Sequence, residues 1–238
     1  MPIWSKISFQ DRNSPLMEHL TFFYDHSIII LTSITFLSIY LILVSIFSKS
    51  YNRFFLEAQE IELFWTSIPA LMLIFIAIPS LKTLYIIEER VKPIISIKVI
   101  GYQWYWRYEY SEITNTQFNS IITKRNYIRL IETSNHLIIP IKTPSRILIT
   151  SKDVIHSWTI PTLGIKVDAT PGRINQIFLI VNKPRVIVGQ CSEICGAGHR
   201  FIPITIEAPS IKKFKNIISL SGWIKQWPLK PFYSNKYS

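Results

Sequence analysis

The sequence predicts an α+β membrane protein, a two-helix transmembrane hairpin followed by an all-β barrel or sandwich. Three observations carry that prediction. Two long uncharged apolar runs lie in the first third of the 238 residues. Short β-branched and aromatic runs, separated by turn residues, fill most of the remainder. The only two cysteines, Cys191 and Cys195, fall late in the chain with His199 close behind them.

The first apolar run is Ser27 to Phe47 and the second Leu63 to Leu81. Each matches the roughly 20 residues a helix needs to cross about 30 Å of hydrocarbon. Neither has the polar face of a helix that packs on a soluble core. The expected organisation is an amino-terminal segment over 1–26, the hairpin over 27–87, the β domain over 88–210, and a carboxy-terminal helix and tail over 211–238. Asp11, Arg12, Glu18 and Asp25 interrupt any signal-peptide pattern, so the amino terminus is expected to be retained. Two spans return the chain to its starting side, which places the first residues and the β domain in one compartment. Lys49 and Arg53 in the connecting loop are matched by Lys6 and Arg12 before the first span, so counting basic residues leaves the orientation open. Glu57, Glu60 and Glu62 stand ahead of the second span, where a helix amino terminus favours negative charge. Pro69 and Pro79 lie inside it, where a kink rather than a break is expected.

Beyond Glu88 the period changes. Strands are expected over Ile94–Ile100, Tyr102–Tyr110, Tyr127–Glu132, Arg146–Thr150, Ile174–Val181, Val186–Gly189 and Phe201–Glu207. Pro140, Pro144, Pro161, Gly164, Pro171-Gly172 and Pro184 punctuate them, as in a sandwich or barrel. Along Tyr102–Tyr110 a ring recurs at every second position, Tyr102, Trp104, Trp106, Tyr108 and Tyr110, which puts one aromatic face of a strand toward a core. Ile211 to Gln226 reads as one amphipathic helix packed on the barrel.

The net charge of +11 is concentrated in the β domain and tail, where twenty-one Lys and Arg face nine Asp and Glu from Glu88 onward. Such a surplus suits nucleic acid or anionic lipid. Six of those lysines lie between Lys212 and Lys236, and heavy use of Ile, Lys, Asn, Tyr and Phe is what an AT-rich genome produces. No nucleic-acid partner is expected.

The chemistry resides in Cys191-Ser-Glu193-Ile-Cys195-Gly-Ala-Gly-His199 and, upstream, Asp153-Val-Ile-His156-Ser-Trp158. Thiolates and imidazoles together suit copper or zinc. Structural zinc sites pair one close Cys-x2-Cys with another close pair, which this chain lacks. A disulfide between the two cysteines is the plainer alternative, and it leaves the histidines unexplained. One distant histidine plus a Cys-containing ligand loop resembles the blue-copper arrangement. A second thiolate added to it can bridge a second copper.

Taken together, these residues resemble subunit II of the haem–copper cytochrome c oxidases in its mitochondrially encoded form. The resemblance runs from Phe9-Gln10-Asp11 and Ser14-Pro15 through Gln59-Glu60-Ile61-Glu62, Ile78-Pro79-Ser80-Leu81 and Gly101-Tyr102-Gln103-Trp104-Tyr105-Trp106 to Asp168-Ala-Thr-Pro171-Gly172-Arg173 and Gly189-Gln190-Cys191-Ser-Glu193-Ile-Cys195-Gly196. It implies a cupredoxin-like β domain in the intermembrane space of a multi-pass inner-membrane protein. It implies a binuclear copper-A centre bridged by Cys191 and Cys195, with His156 and His199 each on one copper and the Glu193 carbonyl as a weak axial ligand. The Glu193 side chain would reach a magnesium ion shared with subunit I. Trp104 would be where the electron arrives from cytochrome c, and Glu62 would mark the entrance of a proton pathway in subunit I. Glu109, Asp153 and Glu193 match acids that would meet basic cytochrome c, and Asp168 and Arg173 resemble a loop at the subunit I boundary.

Two positions depart from the family pattern. Tyr102 stands where a histidine is common. Ile202 stands where the family has the axial methionine of one copper, and isoleucine has no lone pair to offer. With only three methionines in an isoleucine-rich chain, an AUA codon read under a different genetic code is the second explanation of Ile202. Two competing functions are a copper-free quinol-oxidase subunit, which should lack these ligands, and a copper carrier, which should expose them.

Overall fold

A computed structural model of the chain describes residues 7–49, 52–54, 56–89, 92–110, 116–123 and 128–219. They form two compact units, one comprising His19–Glu88 and the other the remainder.

The first unit is the helical hairpin. Helix α1 spans Pro15–Phe47 and α2 spans Gln59–Glu88. The α1 start lies well before the uncharged run because Ser14 and Pro15 make a strong amino-terminal signal. The Ser14 Oγ accepts the Met17 N–H at 3.0 Å, and proline at the first helical position forgoes only a donor that has no partner there. Helix α2 continues through Pro69 and Pro79. At about 1.5 Å per residue, both helices exceed the hydrocarbon thickness. The apolar side chains of both are predominantly exposed, including Phe36, Leu41, Leu73 and Phe75, so their cover is lipid or partner protein.

Among the described residues the β domain has ten strands: β1 (Ile95–Tyr102), β2 (Tyr105–Tyr110), β3 (Thr116–Ser120), β4 (Leu137–Ile138), β5 (Ser145–Ser151), β6 (His156–Ile160), β7 (Ile165–Ala169), β8 (Asn175–Leu179), β9 (Val186–Cys191) and β10 (Pro203–Glu207). One sheet has the order β3-β2-β1-β5-β8 and the other β4-β10-β9-β6-β7. Alternating burial along β2 and β5 shows one inward face on each, as two-layer packing requires. Trp106, Tyr108, Trp158, Ile97, Ile147 and Ile160 are among the largest fully buried side chains.

The structure corrects the sequence reading of the β domain and of the segment after it. The Tyr102–Tyr110 run is not one strand: Gln103 and Trp104 turn the chain between β1 and β2, with Tyr102 opposite Tyr105. Trp106, Tyr108 and Tyr110 still share the buried face, while Tyr102 and Trp104 do not. Within Tyr127–Glu132 the described residues form a turn, not a strand. Strands β3, β4, β6 and β7 were not expected. Of the expected carboxy-terminal helix, α3 spans Ile211–Ser219 and buries Phe214; the stretch beyond lies outside the described residues.

The segment before α1 belongs to the β domain. Asn13 is fully buried, and its amide oxygen accepts the Lys183 N–H at 2.7 Å while its NH2 donates to the Lys183 carbonyl at 3.2 Å. The Ser14 hydroxyl donates to the Leu163 carbonyl at 2.7 Å. These bonds satisfy buried polar groups and strap residues 7–18 to the sandwich.

Candidate metal centre

The second sheet gathers the ligand-type residues at one end. His156 opens β6 and Cys191 closes β9, and the two strands are neighbours, with Trp158 opposite Cys191. Cys195 follows in the loop, and His199 begins a short 3-10 helix, His199–Phe201. Donor atoms of His156, Cys191 and Cys195 lie within 4.8 Å of one another, all three residues buried. The Cys195 Sγ is 3.5 Å from His199 Nδ1, bringing the second, half-buried imidazole to the same cluster. Both cysteines are free thiols, so the structure does not adopt the disulfide alternative.

The orientation of His156 is determined by its neighbours. Its Nε2 lies 2.9 Å from Asp153 Oδ1. Asp153 is held below the usual carboxylate range: burial works against that, but hydrogen bonds from His156, Gln103 and Val154 outweigh it. An ionised carboxylate only accepts, so Nε2 carries the proton of this bond, and in the neutral imidazole the lone pair is on Nδ1. That Nδ1 is buried without a hydrogen-bond partner among the described residues. A buried imidazole nitrogen with a free lone pair beside two thiols is a metal-binding arrangement, and Asp153 is the outer hydrogen bond such ligands use.

The space for the imidazole depends on a glycine. A Cβ on Gly101 of β1 would come within 2.8 Å of His156 Cδ2, and Trp106, paired with Gly101, meets the imidazole edge-on at 5.8 Å between ring centroids.

The thiols are electrically unequal. Burial opposes ionisation of Cys191, but the neighbouring His156 imidazole and the backbone of Glu193 and Ser157 lower it to about 6. Cys195 is pushed up to about 12 by burial and by the negative charge of Cys191 beside it. A cluster that stabilises one thiolate before any cation arrives is suited to a soft metal.

Glu193 and Ile202 complete the loop. The Glu193 carbonyl accepts from the Cys191 thiol at 3.4 Å, so it faces the sulfur; its side chain is half-exposed. Ile202 is 1% exposed, and its carbonyl accepts the Cys191 N–H at 3.2 Å. The donor set of two sulfurs, two imidazoles and a carbonyl fits a copper pair.

Trp104 lies against this loop and is 39% exposed. Its indole N–H donates to the Cys195 carbonyl at 3.3 Å, and the Gln103 amide donates to the same carbonyl at 3.0 Å. The indole occupies the space where any side chain on Gly198 would project. Glu62 belongs to the helical unit, exposed in the first turn of α2. Of the three expected docking acids, Glu109 pairs with Lys98 at 3.4 Å, and Asp153 is exposed and accepts the Gln103 N–H and the His156 Nε2–H. Gly101, Gly198 and the inward role of Asp153 were not read from sequence; the spacing Asp153-x-x-His156 was the one available signal.

Comparison with known proteins agrees with this architecture. The family model described as cytochrome c oxidase subunit II, periplasmic domain, matches residues 95–209, and the one described as the transmembrane domain of the same subunit matches 2–83. Cytochrome c oxidase subunit 2 of Choristoneura rosaceana is 52% identical over 225 residues, covering 92% of this chain and 99% of the relative. That of Drosophila yakuba is 48% identical over 224 residues, covering 92% and 98%. Among solved structures, the periplasmic domain of subunit II of cytochrome oxidase of Bradyrhizobium japonicum superposes with a TM-score of 0.54 at 35% identity, over 56% of this chain and 96% of that one. The chain is a membrane protein with a cupredoxin-like β domain, and it belongs to the cytochrome c oxidase subunit II family.

Proposed function

We propose that the chain is the electron-accepting subunit of cytochrome c oxidase, receiving electrons from reduced cytochrome c and handing them to the haem of subunit I, in support of oxygen reduction to water and proton pumping. The observation that carries this is the unpartnered, buried Nδ1 of His156 beside two free, buried thiols. His156, Cys191, Cys195, His199 and the Glu193 carbonyl would hold a binuclear copper-A centre. When bound, that centre would supply a one-electron acceptor, with the two thiolates and two imidazoles as its soft donors.

The rest of the work belongs to this chain. Asp153 keeps the proton on His156 Nε2 and the lone pair on Nδ1. The buried core around Trp106 and Ile202 excludes water and limits rearrangement between oxidation states. Trp104, exposed on one side and bonded to the Cys195 carbonyl on the other, is placed to receive the electron from a docked cytochrome c. Glu193 also presents a half-exposed carboxylate suited to a magnesium ion shared with subunit I, and Glu62 is suited to a proton-pathway entrance there. The assembly would lie in the mitochondrial inner membrane, with the β domain facing the intermembrane space alongside subunit I and the other oxidase subunits.

The test is copper analysis of the intact oxidase with near-infrared absorption and electron paramagnetic resonance. Two coppers assigned to this subunit, a near-infrared band and hyperfine splitting shared over two nuclei are expected. A full copper complement with localised, single-ion splitting overturns the binuclear reading.

A further inference from the structure

Proline at position 79 leaves a polar group of α2 without its usual partner. It has no N–H, so the carbonyl four residues earlier, that of Phe75, loses its intrahelical donor. Inside hydrocarbon no water replaces that donor, and a side chain of a neighbouring helix is one of the few substitutes. In the structure His26 of α1 fills this place: its Nε2 lies 3.2 Å from the Phe75 carbonyl oxygen. A carbonyl only accepts, so Nε2 carries the proton of this bond. Beyond the proline, the Thr83 hydroxyl donates to the Pro79 carbonyl at 2.9 Å. That bond stays within α2, whereas the His26 bond crosses between the helices.

The placement follows from the sequence. His26 directly precedes the first uncharged run and Pro79 lies near the end of the second, the levels that an antiparallel hairpin brings together. The imidazole is half-buried there, on helices whose apolar side chains are predominantly exposed. An ionisable side chain in a membrane helix ordinarily has a specific partner. Here the partner is a backbone group that a proline has freed.

We infer that His26 is a positioning residue that supplies, across the hairpin, the hydrogen-bond donor that Pro79 removes from α2, and so ties the two spans together at the proline. The inference is independent of the metal centre, since both residues belong to the helical unit. His26 acts by donating, so another side chain that donates from the same place can replace it. So can an N–H restored to residue 79.

The test uses variants of the full chain in the assembled oxidase, with turnover measured before heating and the half-life of thermal inactivation measured after it. His26→Leu removes the donor and should shorten the half-life about threefold, the factor that corresponds to an average hydrogen bond between membrane helices. His26→Gln places an amide NH2 near the position of the imidazole Nε2 and should recover most of that loss. Pro79→Ala returns an N–H to the Phe75 carbonyl, so in that background His26→Leu should leave the half-life unchanged. Pro69→Ala gives a donor to the Trp65 carbonyl instead, and there His26→Leu should keep its full effect. Turnover before heating should match wild type in both His26 variants.

A wild-type half-life for His26→Leu overturns the inference. So does an effect of His26→Leu that is the same with proline or alanine at position 79, or a His26→Gln variant as short-lived as His26→Leu. Turnover lost in both His26 variants and not recovered by Pro79→Ala would make the imidazole a proton carrier, which overturns it as well. If Pro79→Ala does not assemble, the comparison of His26→Gln with His26→Leu decides alone.

Discussion

The two imidazoles of the cluster are held in opposite ways. His156 is 0% exposed on a strand, with one ring nitrogen bonded to Asp153, an aromatic edge from Trp106 and a glycine clearing its path. His199 is half-exposed on a short helical turn, and its bond to Cys195 is long at 3.5 Å. The first arm is built into the sandwich and the second is carried by a loop. The fold therefore fixes one imidazole by packing, whereas the other, as a proposed ligand, would depend on a bound metal to close its loop. Metal binding that completes a partly formed site contributes its free energy to ordering that loop.

The largest effect should come from the residue the two arms share. Cys195 Sγ lies within reach of both imidazoles, so Cys195→Ser should remove the near-infrared band and lower the copper in this subunit from two ions to one or none. Retention of two coppers with the band intact would show that the arms do not meet at this sulfur.

Next come the arms taken singly, with the metal removed by chelation. His156→Ala leaves donors and acceptors of a buried network without partners and opens space beside Trp106, so the chelated protein should lose about 1–3 kcal/mol of stability. His199→Ala touches a half-exposed position and should stay within about 0.5 kcal/mol. Urea unfolding followed by tryptophan fluorescence measures both, and equal losses would remove the distinction between a built arm and a carried one.

A third test acts on the loop without touching a ligand. Gly198→Ala puts a methyl group where the Trp104 indole lies, so the indole must move. The copper spectrum should persist while the rate of electron uptake from reduced cytochrome c falls, on the order of tenfold for a displaced donor–acceptor geometry. A rate equal to wild type would mean that the indole contact has no part in transfer.

The same contrast explains what the sequence disclosed. The apolar hairpin was legible because lipid demands uninterrupted runs, and β1, β5, β8, β9 and β10 because β-branched residues recur in them. Strand β3, Thr-Gln-Phe-Asn-Ser, is a polar edge, and β6 mixes His156, Ser157 and Thr159 among apolar residues; neither has the alternation that marks a strand. The Gln103-Trp104 turn contains no Gly, Pro, Asn or Asp, and the aromatic alternation ran straight across it. Donor types can be read from residue identity, which is why the Cys and His positions stood out. Asp153, Gly101 and Gly198 act through contacts 50 or more residues away, and one sequence does not state which of its residues will meet.

The smallest effect, and the sharpest on the loop arm, concerns Ile202. It is buried among core residues, its backbone carbonyl bonds the Cys191 N–H, and its side chain is hydrocarbon. Ile202→Met nearly conserves volume, so stability should change by less than about 1.5 kcal/mol and copper content not at all. What should change, where residue 202 reaches the proposed copper site, is the reduction potential, because a thioether is a donor that isoleucine lacks. Voltammetry of the two forms decides: equal potentials would place residue 202 out of reach of the metal. Trypsin cuts after Arg200 and Lys212, so the mass of the native peptide Phe201–Lys212 shows which side chain the protein carries. An isoleucine mass makes the asymmetry between the arms a property of the protein, with one copper lacking the thioether; a methionine mass restores that donor and leaves burial as the main difference between them.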